Sequence, residues 1–279
     1  MNASAQEIVV DHAGGVVYDA LGIAHPLADD SARIGSLVPS ITELLCDLGL
    51  GAQLVARTGF CIHPKHLVRD ITKVGGTKDV NLERLRELGP THVIVNIDEN
   101  ERPLYDALTE FVPHVFVTHP ITPEDNVALF ESLGALFGKQ AVAAKLIDDF
   151  TARREVLGKP ADYPQRSVLY LIWKDPWMAV NQNTYVAEML KLINWQVACG
   201  ESESRYPEVV IEELAGQVDY VLLSSEPYSF REKHLAEVRQ LVGADTRVSL
   251  VDGEMLSWYG SRAIHGLAYL RALAANETS

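Results

Sequence analysis

The chain has 279 residues, 47% of them hydrophobic and 22% charged, with a formal net charge of -14 at pH 7. These are proportions of a globular protein long enough for two domains, and so acidic a surface repels phosphate backbones, which excludes a general nucleic-acid binder. No apolar run approaches about 18 residues, so the sequence offers no helical membrane span. Three cysteines, Cys46, Cys61 and Cys199, are too far apart for a disulfide framework or a zinc knuckle.

Residues 1–30 read as an N-terminal extension, with a short edge strand at Ile8 to Val10. They contain Glu7, Asp11, Asp19, Asp29 and Asp30 but no lysine or arginine, and no basic start followed by an apolar stretch. The chain as written is therefore expected in the cytoplasm, and in the periplasm if a leader is missing from it.

From 33 to 38 the apolar run reads as a buried strand. A helix follows from Pro39, with Ser40 and Glu43 at capping-box spacing and Gly49 as its stop. Asn81 is placed to cap a helix over 82–88. A strand at 92–97, a helix at 104–111 and a strand at 115–118 come next. Residues 122–125, with proline at the first helical position, open another helix. Over 139–157 the apolar positions Val142, Leu146, Ile147, Phe150 and Leu157 keep helical spacing for about five turns. The second half repeats this grammar, with strands at 167–172, 220–224 and 247–251. Its helices are expected at 185–193, 211–215, 230–241 and 262–274.

Strands alternating with helices predict parallel α/β sheets. An internal echo supports two similar halves: LERL at 82–85 precedes HVIV at 92–95, as IEEL at 211–214 precedes DYVL at 219–222. Each strand then runs into an acidic loop, Asp98-Glu99-Asn100 in one half and Ser225-Glu226-Pro227 in the other. The predicted fold is α/β, two Rossmann-like lobes joined by a long bridging helix. The boundaries are 1–30 for the extension, 31–120 for the first lobe, 121–159 for the helical bridge and 160–279 for the second lobe. Ligands of open α/β sheets sit beyond the carboxyl ends of strands, and the expected pocket is an inter-lobe cleft.

Several segments together resemble the helical-backbone (class III) periplasmic solute-binding proteins, which deliver vitamin B12 or ferric siderophores to ABC importers. RIGSLVPSITELLCDLGLG at 33–51 is similar to that family's opening strand and helix. VGGTKDVNLERL at 74–85 with GPTHVIV at 89–95 is similar to its most recognisable stretch, and YDALG at 18–22 to its short leading hairpin. The resemblance implies a substrate-binding protein without chemistry on its ligand, a cobalamin-like corrinoid or an iron chelate (siderophore or haem). It requires no cofactor and implies a monomer. It also implies docking on an ABC permease through one glutamate per lobe, Glu83 in the NLER stretch and Glu212 in YPEVVIE at 206–212.

Polar and aromatic residues crowd the predicted strand ends. The expected ligand contacts are Phe60, His63, Lys78, Asn96, Glu99, Trp173, Trp177, Glu226, Tyr228, Trp258, Tyr259 and Arg262. Trp177, Tyr228, Trp258 and Tyr259 offer broad apolar faces with polar edges for a macrocycle or a catecholate, and Arg262 offers a fork for a carboxylate. Cys61, His63, His119, Glu99 and Glu226 are the residue types that ligate metals, but their spacing is not that of a structural zinc site, and no direct metal site is expected. His234 and His265 read as surface or helix-end residues. There is no nucleophile elbow, P-loop, HExxH or GxGxxG, so no catalytic residue is assigned. The alternative reading is a cytoplasmic enzyme or chelate-processing protein using the acidic and aromatic residues of the same cleft.

Overall fold

The computed structural model describes residues 9–11, 14–200 and 202–275. The chain forms two compact units. One holds the residues up to Pro120 with Glu124–Thr151 and Tyr259–Arg262; the other holds Ile121–Pro123, Ala152–Trp258 and the residues from Ala263 onward. Ile8 and the residues before it lie outside the described part.

The first unit opens with an antiparallel three-stranded sheet of β1 (Val9–Asp11), β2 (Val16–Tyr18) and β3 (Ala24–Pro26). The β2–β3 turn, at the YDALG segment, is tied by Asp19, which is fully buried. The Asp19 carboxylate accepts from Leu21 N and Ile23 N at 2.9 Å each, and from Val117 N at 3.2 Å.

The main sheet of this unit is built by β4 (Ile34–Ser36), helix α1 (Pro39–Asp47), β5 (Leu54–Arg57), α2 (Lys65–Val68), β6 (Thr72–Lys73), α3 (Leu82–Glu87), β7 (His92–Asn96), α4 (Arg102–Thr109) and β8 (His114–Thr118). The strand order is β6-β5-β4-β7-β8, all parallel. Every residue of β7 is buried, the pattern of a central parallel strand covered on both faces. Leu37, Ala56, Leu85, Val93, Val95 and Val117 lie in one core on a single face of it.

Two helices follow, α5 (Asp125–Leu136) and α6 (Gln140–Leu157). The start of α5 lies two residues beyond the expected proline-led one, and α6 runs over nearly all of the segment whose apolar periodicity predicts it. The first unit includes α6 through Thr151 and the second from Ala152.

The second unit contains β9 (Arg166–Trp173), β10 (Met178–Ala179), α7 (Tyr185–Lys191), β11 (Trp195–Val197), β12 (Tyr220–Ser224), α8 (Glu232–Val242), β13 (Arg247–Val251), α9 (Gly253–Ser257) and α10 (Arg262–Ala275). Strands β12 and β13 coincide with the sequence expectation. Here β11, β9, β12 and β13 are parallel neighbours in that order, and β10 joins the end of β9 antiparallel. This repeats the β5-β4-β7-β8 order of the first unit, so the echo between 82–95 and 211–222 marks equivalent central strands. The fold class is thus the expected one, α/β with parallel sheets.

Two local expectations are corrected. Ser40 and Glu43 do not form a capping box. Val38 is the N-cap of α1 without a side-chain bond; Pro39 at the first helical position lacks the N–H that would need one, Ser40 is buried, and Glu43 is drawn into an ion pair. Residues 211–214 make a 3-10 turn and not an α-helix, because Gly216 at φ +73° ends it after one turn. Asn81 does cap α3, its side chain accepting from Arg84 N at 2.9 Å.

Candidate functional site

In the first unit the loops at the carboxyl ends of the strands are stitched together by hydrogen bonds. Gly59 N donates to Gly75 O at 2.7 Å, and Asn100 Nδ2 donates to Thr77 O at 2.9 Å. Gly75 has φ +110°, and a Cβ there would lie 2.3 Å from Asp79 O, so only glycine closes the 75–80 turn. Below the 58–61 loop, the buried Arg57 guanidinium donates to the carbonyls of Val68, Thr58 and Cys61 at 2.7–3.0 Å. This framework presents Phe60, 63% exposed, with half-buried His63, exposed Lys78 and half-buried Glu99.

Asn96 belongs to the framework and not to the presented surface. It is fully buried. Its amide donates to Thr118 O at 3.0 Å and Thr118 Oγ1 at 3.3 Å, and its carbonyl accepts from Asp98 N at 2.8 Å and Glu99 N at 3.3 Å. Both donors and both lone pairs are used, which leaves no group for a ligand. The expected ligand role is corrected to that of a turn-former holding Asp98 and Glu99 in place.

Arg262 is corrected likewise. Its Nε and Nη2 donate to the two oxygens of Glu43, both at 2.8 Å, with side-chain exposures of 11% and 15%. A fork matched to a carboxylate is therefore already filled from within the same unit. Tyr259, in the same segment, is buried rather than presented.

In the second unit the carboxyl ends of β9 and β12 carry an aromatic surface. Trp173, 41% exposed, meets Tyr228 edge to face at 5.6 Å. Tyr228 lies 4.7 Å from Phe230, and Trp177 stacks on Phe230 at 6.1 Å and 8°. The Lys174 ammonium lies 4.7 Å from the centre of the Trp177 ring and is bonded to Glu237 at 2.6 Å. A backbone bond from Tyr228 N to Ile172 O holds the two loops together. Thus Trp173, Trp177 and Tyr228 are brought into one cluster.

Sequence reasoning missed Phe230 and misplaced His234. The imidazole of His234 is buried, its Nε2 lying 3.4 Å from the Tyr228 hydroxyl and its Nδ1 accepting from Arg231 N. The signal was present as aromatic residues two apart at 228 and 230, with His234 one helical turn further on. His265 is exposed on α10, as read.

Glu226 follows the end of β12, two residues before Tyr228 in the chain. It accepts from Ser257 Oγ at 2.9 Å and from Trp258 Nε1 at 2.7 Å. Burial pushes its carboxyl above the ordinary value; the two hydrogen bonds act against that, and the charges of Glu254 and Asp252 add to it. Trp258 is only 8% exposed, so its role is corrected from a stacking face to a support that orients Glu226.

The candidate metal ligands are not assembled. Cys61 is fully buried with its Sγ 3.1 Å from Thr58 Oγ1, and burial raises its thiol, which disfavours the thiolate that metals require. His119 lies 3.5 Å from Asp98. Among the described residues no three His, Cys, Asp or Glu side chains are grouped to hold a metal ion. An open groove of about 630 Å³ in the second unit, lined by Gln165, Arg166, Gln196, Gln217 and Asp219, lies at the start of β9, the opposite end from the aromatic cluster.

Residues 34–242 match the family described as periplasmic binding protein. The chain belongs to that family. Its members are solute-binding proteins, and this chain is a binding protein of the same kind. It is 26% identical to the vitamin B12-binding protein of Vibrio campbellii over 194 residues, 69% of this chain and 70% of the relative. The fold is that of the periplasmic vitamin B12-binding protein of Vibrio cholerae, at TM-score 0.76 and 20% identity over 88% of this chain and 98% of that one. A periplasmic haem-binding protein from Pseudomonas aeruginosa shares it at TM-score 0.73 and 20% identity, over 87% and 92%.

Proposed function

We propose that this protein binds a flat metal chelate, a cobalamin-like corrinoid or an iron chelate such as haem or a ferric siderophore, and passes it on unaltered. The observation that carries this reading is the Trp173–Tyr228–Phe230–Trp177 cluster at the carboxyl ends of β9 and β12. Such ends are where α/β sheets receive ligands, and aromatic faces stack on planar macrocycles. Relatives named for vitamin B12 and haem support the same class of cargo. Each unit presents candidate contacts of its own, Phe60, His63, Lys78 and Glu99 in the first and Trp173, Trp177, Tyr228 and Glu226 in the second.

The partner in this reading is an ABC permease. Glu83 in the first turn of α3 and Glu212 on the 3-10 turn are both exposed and stand before the equivalent central strands of the two units. The compartment is the periplasm, the location given in the names of the solved relatives.

Calorimetry with cobalamin, cobinamide, haem and a ferric tris-catecholate tests the cargo class. Trp173→Ala removes the most exposed ring of the cluster, a loss of about 2 kcal/mol for an anchor residue, or about thirtyfold in Kd. Absence of binding to all four refutes the reading. Glu83→Ala with Glu212→Ala is expected to leave ligand affinity unchanged and to abolish stimulation of permease ATPase activity.

A further inference from the structure

Glu226 lies at the end of β12, two residues before Tyr228 of the aromatic cluster. Both of its hydrogen-bond donors, Ser257 Oγ and Trp258 Nε1, are neutral, and both reach Oε1. The Trp258 indole is buried, so its N–H is a fixed donor that keeps the carboxylate from swinging away. Lys174, the basic side chain of the same surface, is bonded to Glu237 at 2.6 Å and lies 3.7 Å from Asp175, so its charge is already balanced. Asp252 and Glu254, on the neighbouring strand-end loop and α9, add negative potential, and the raised carboxyl of Glu226 reflects burial without a compensating cation.

Such a group discriminates between ligands that stack equally well. An ionised oxygen held by neutral donors accepts an amide N–H in a charge-assisted bond, roughly twice as strong as a neutral one. The same oxygen repels a propionate or catecholate, and like charges brought together on a partly desolvated surface lose affinity and reject the partner. We infer that Glu226 sets the charge class of the cargo, selecting an amide-fringed, uncharged or cationic macrocycle of the corrinoid kind over carboxylate-fringed haem or an anionic ferric chelate. The inference rests on the proposal that this surface holds a flat chelate, and it narrows that proposal to one class.

The test uses the full chain and titrates cobinamide, cobalamin, haem and a ferric tris-catecholate by calorimetry. In the wild type, cobinamide is expected to bind at least about tenfold more tightly than haem or the catecholate. Glu226→Gln keeps the size of the side chain and removes its charge; it is expected to weaken cobinamide, to strengthen haem, and to shrink their ratio by about tenfold. Glu110→Gln, an exposed change at the end of α4, leaves the ratio where it was. The wild-type ratio needs no variant, so it decides the matter even if Glu226→Gln folds poorly. Haem binding as tightly as cobinamide overturns the inference and leaves the chelate-binding reading standing, as does a Glu226→Gln protein that melts like the wild type with an unchanged ratio. Failure of every probe removes the chelate-binding reading and this inference together.

Discussion

Acid is expected to destabilise the first unit through three clustered histidines, two of them at the amino ends of β7 and β8. His92 on β7 and His114 on β8 stack at 4.7 Å, and His25 on β3 lies 6.1 Å from His114. Burial, and then the neighbouring imidazoles of His114 and His25, lower His92 from 6.5 to about 4; Asp29 pulls weakly the other way. His114 is lowered too, by burial and by His25, while His25 lies 3.3 Å from Asp19. In the unfolded chain His92 takes up its proton near pH 6.5, but in the folded protein only near 4. Its contribution is therefore complete above pH 6.5, falls as the pH drops through the window from 6.5 to about 4, and is exhausted below it. At about 1.36 kcal/mol per pH unit the whole window corresponds to about 3 kcal/mol, of which about 2 is lost between pH 7.5 and pH 5. Urea unfolding of wild type and His92→Gln at half-unit steps from pH 7.5 to 4.5 measures it, because carboxylate titrations common to both cancel in the difference. The wild type is expected to lose about 2 kcal/mol more than His92→Gln by pH 5. Parallel curves for the two proteins would refute the reasoning.

Asn96→Ala removes the four hydrogen bonds of the turn after β7 and is expected to cost about 2–3 kcal/mol in urea unfolding; unaltered stability with a direct loss of ligand affinity would restore the ligand role. Trp195, fully buried and stacked on Tyr220 at 4.9 Å, is expected to cost about 3–5 kcal/mol when truncated to alanine, and a smaller drop in denaturant midpoint would mean that the site collapses around the cavity. For Arg262 and Glu43, single alanine variants should each destabilise by about 1–3 kcal/mol, and a double-mutant cycle should show the two losses to be strongly non-additive. Additive losses would show that the two side chains act independently.

How much of this was legible in the sequence differs by kind of residue. Strands β12 and β13 lie where short runs rich in apolar residues place them, and α6 where helical periodicity does, because burial on a regular element imposes a local period. The cap at Asn81 was equally legible, since its partner Arg84 N is three residues away. The echo between 82–95 and 211–222 found the two central strands, as the same helix-to-strand step recurs in both sheets. Trp173, Trp177 and Tyr228, expected from their position after strands, lie in one cluster with Phe230.

The tertiary structure alone decided what the polar and indole groups do. Glu43 has capping-box spacing and Arg262 follows a predicted strand, yet they hold each other across 219 residues of sequence. Asn96 sits at a strand end, where ligands are expected, but the approach of β8 turns its amide inward onto Thr118. Trp258 was expected as a stacking face; the turn between β12 and α8 brings Glu226 under its N–H and makes it a support. Apolar periodicity is a property of a segment with itself, which a sequence displays directly. A hydrogen bond or ion pair is satisfied by whichever complementary group the fold delivers within about 3 Å, and that is set only when distant strands are brought side by side.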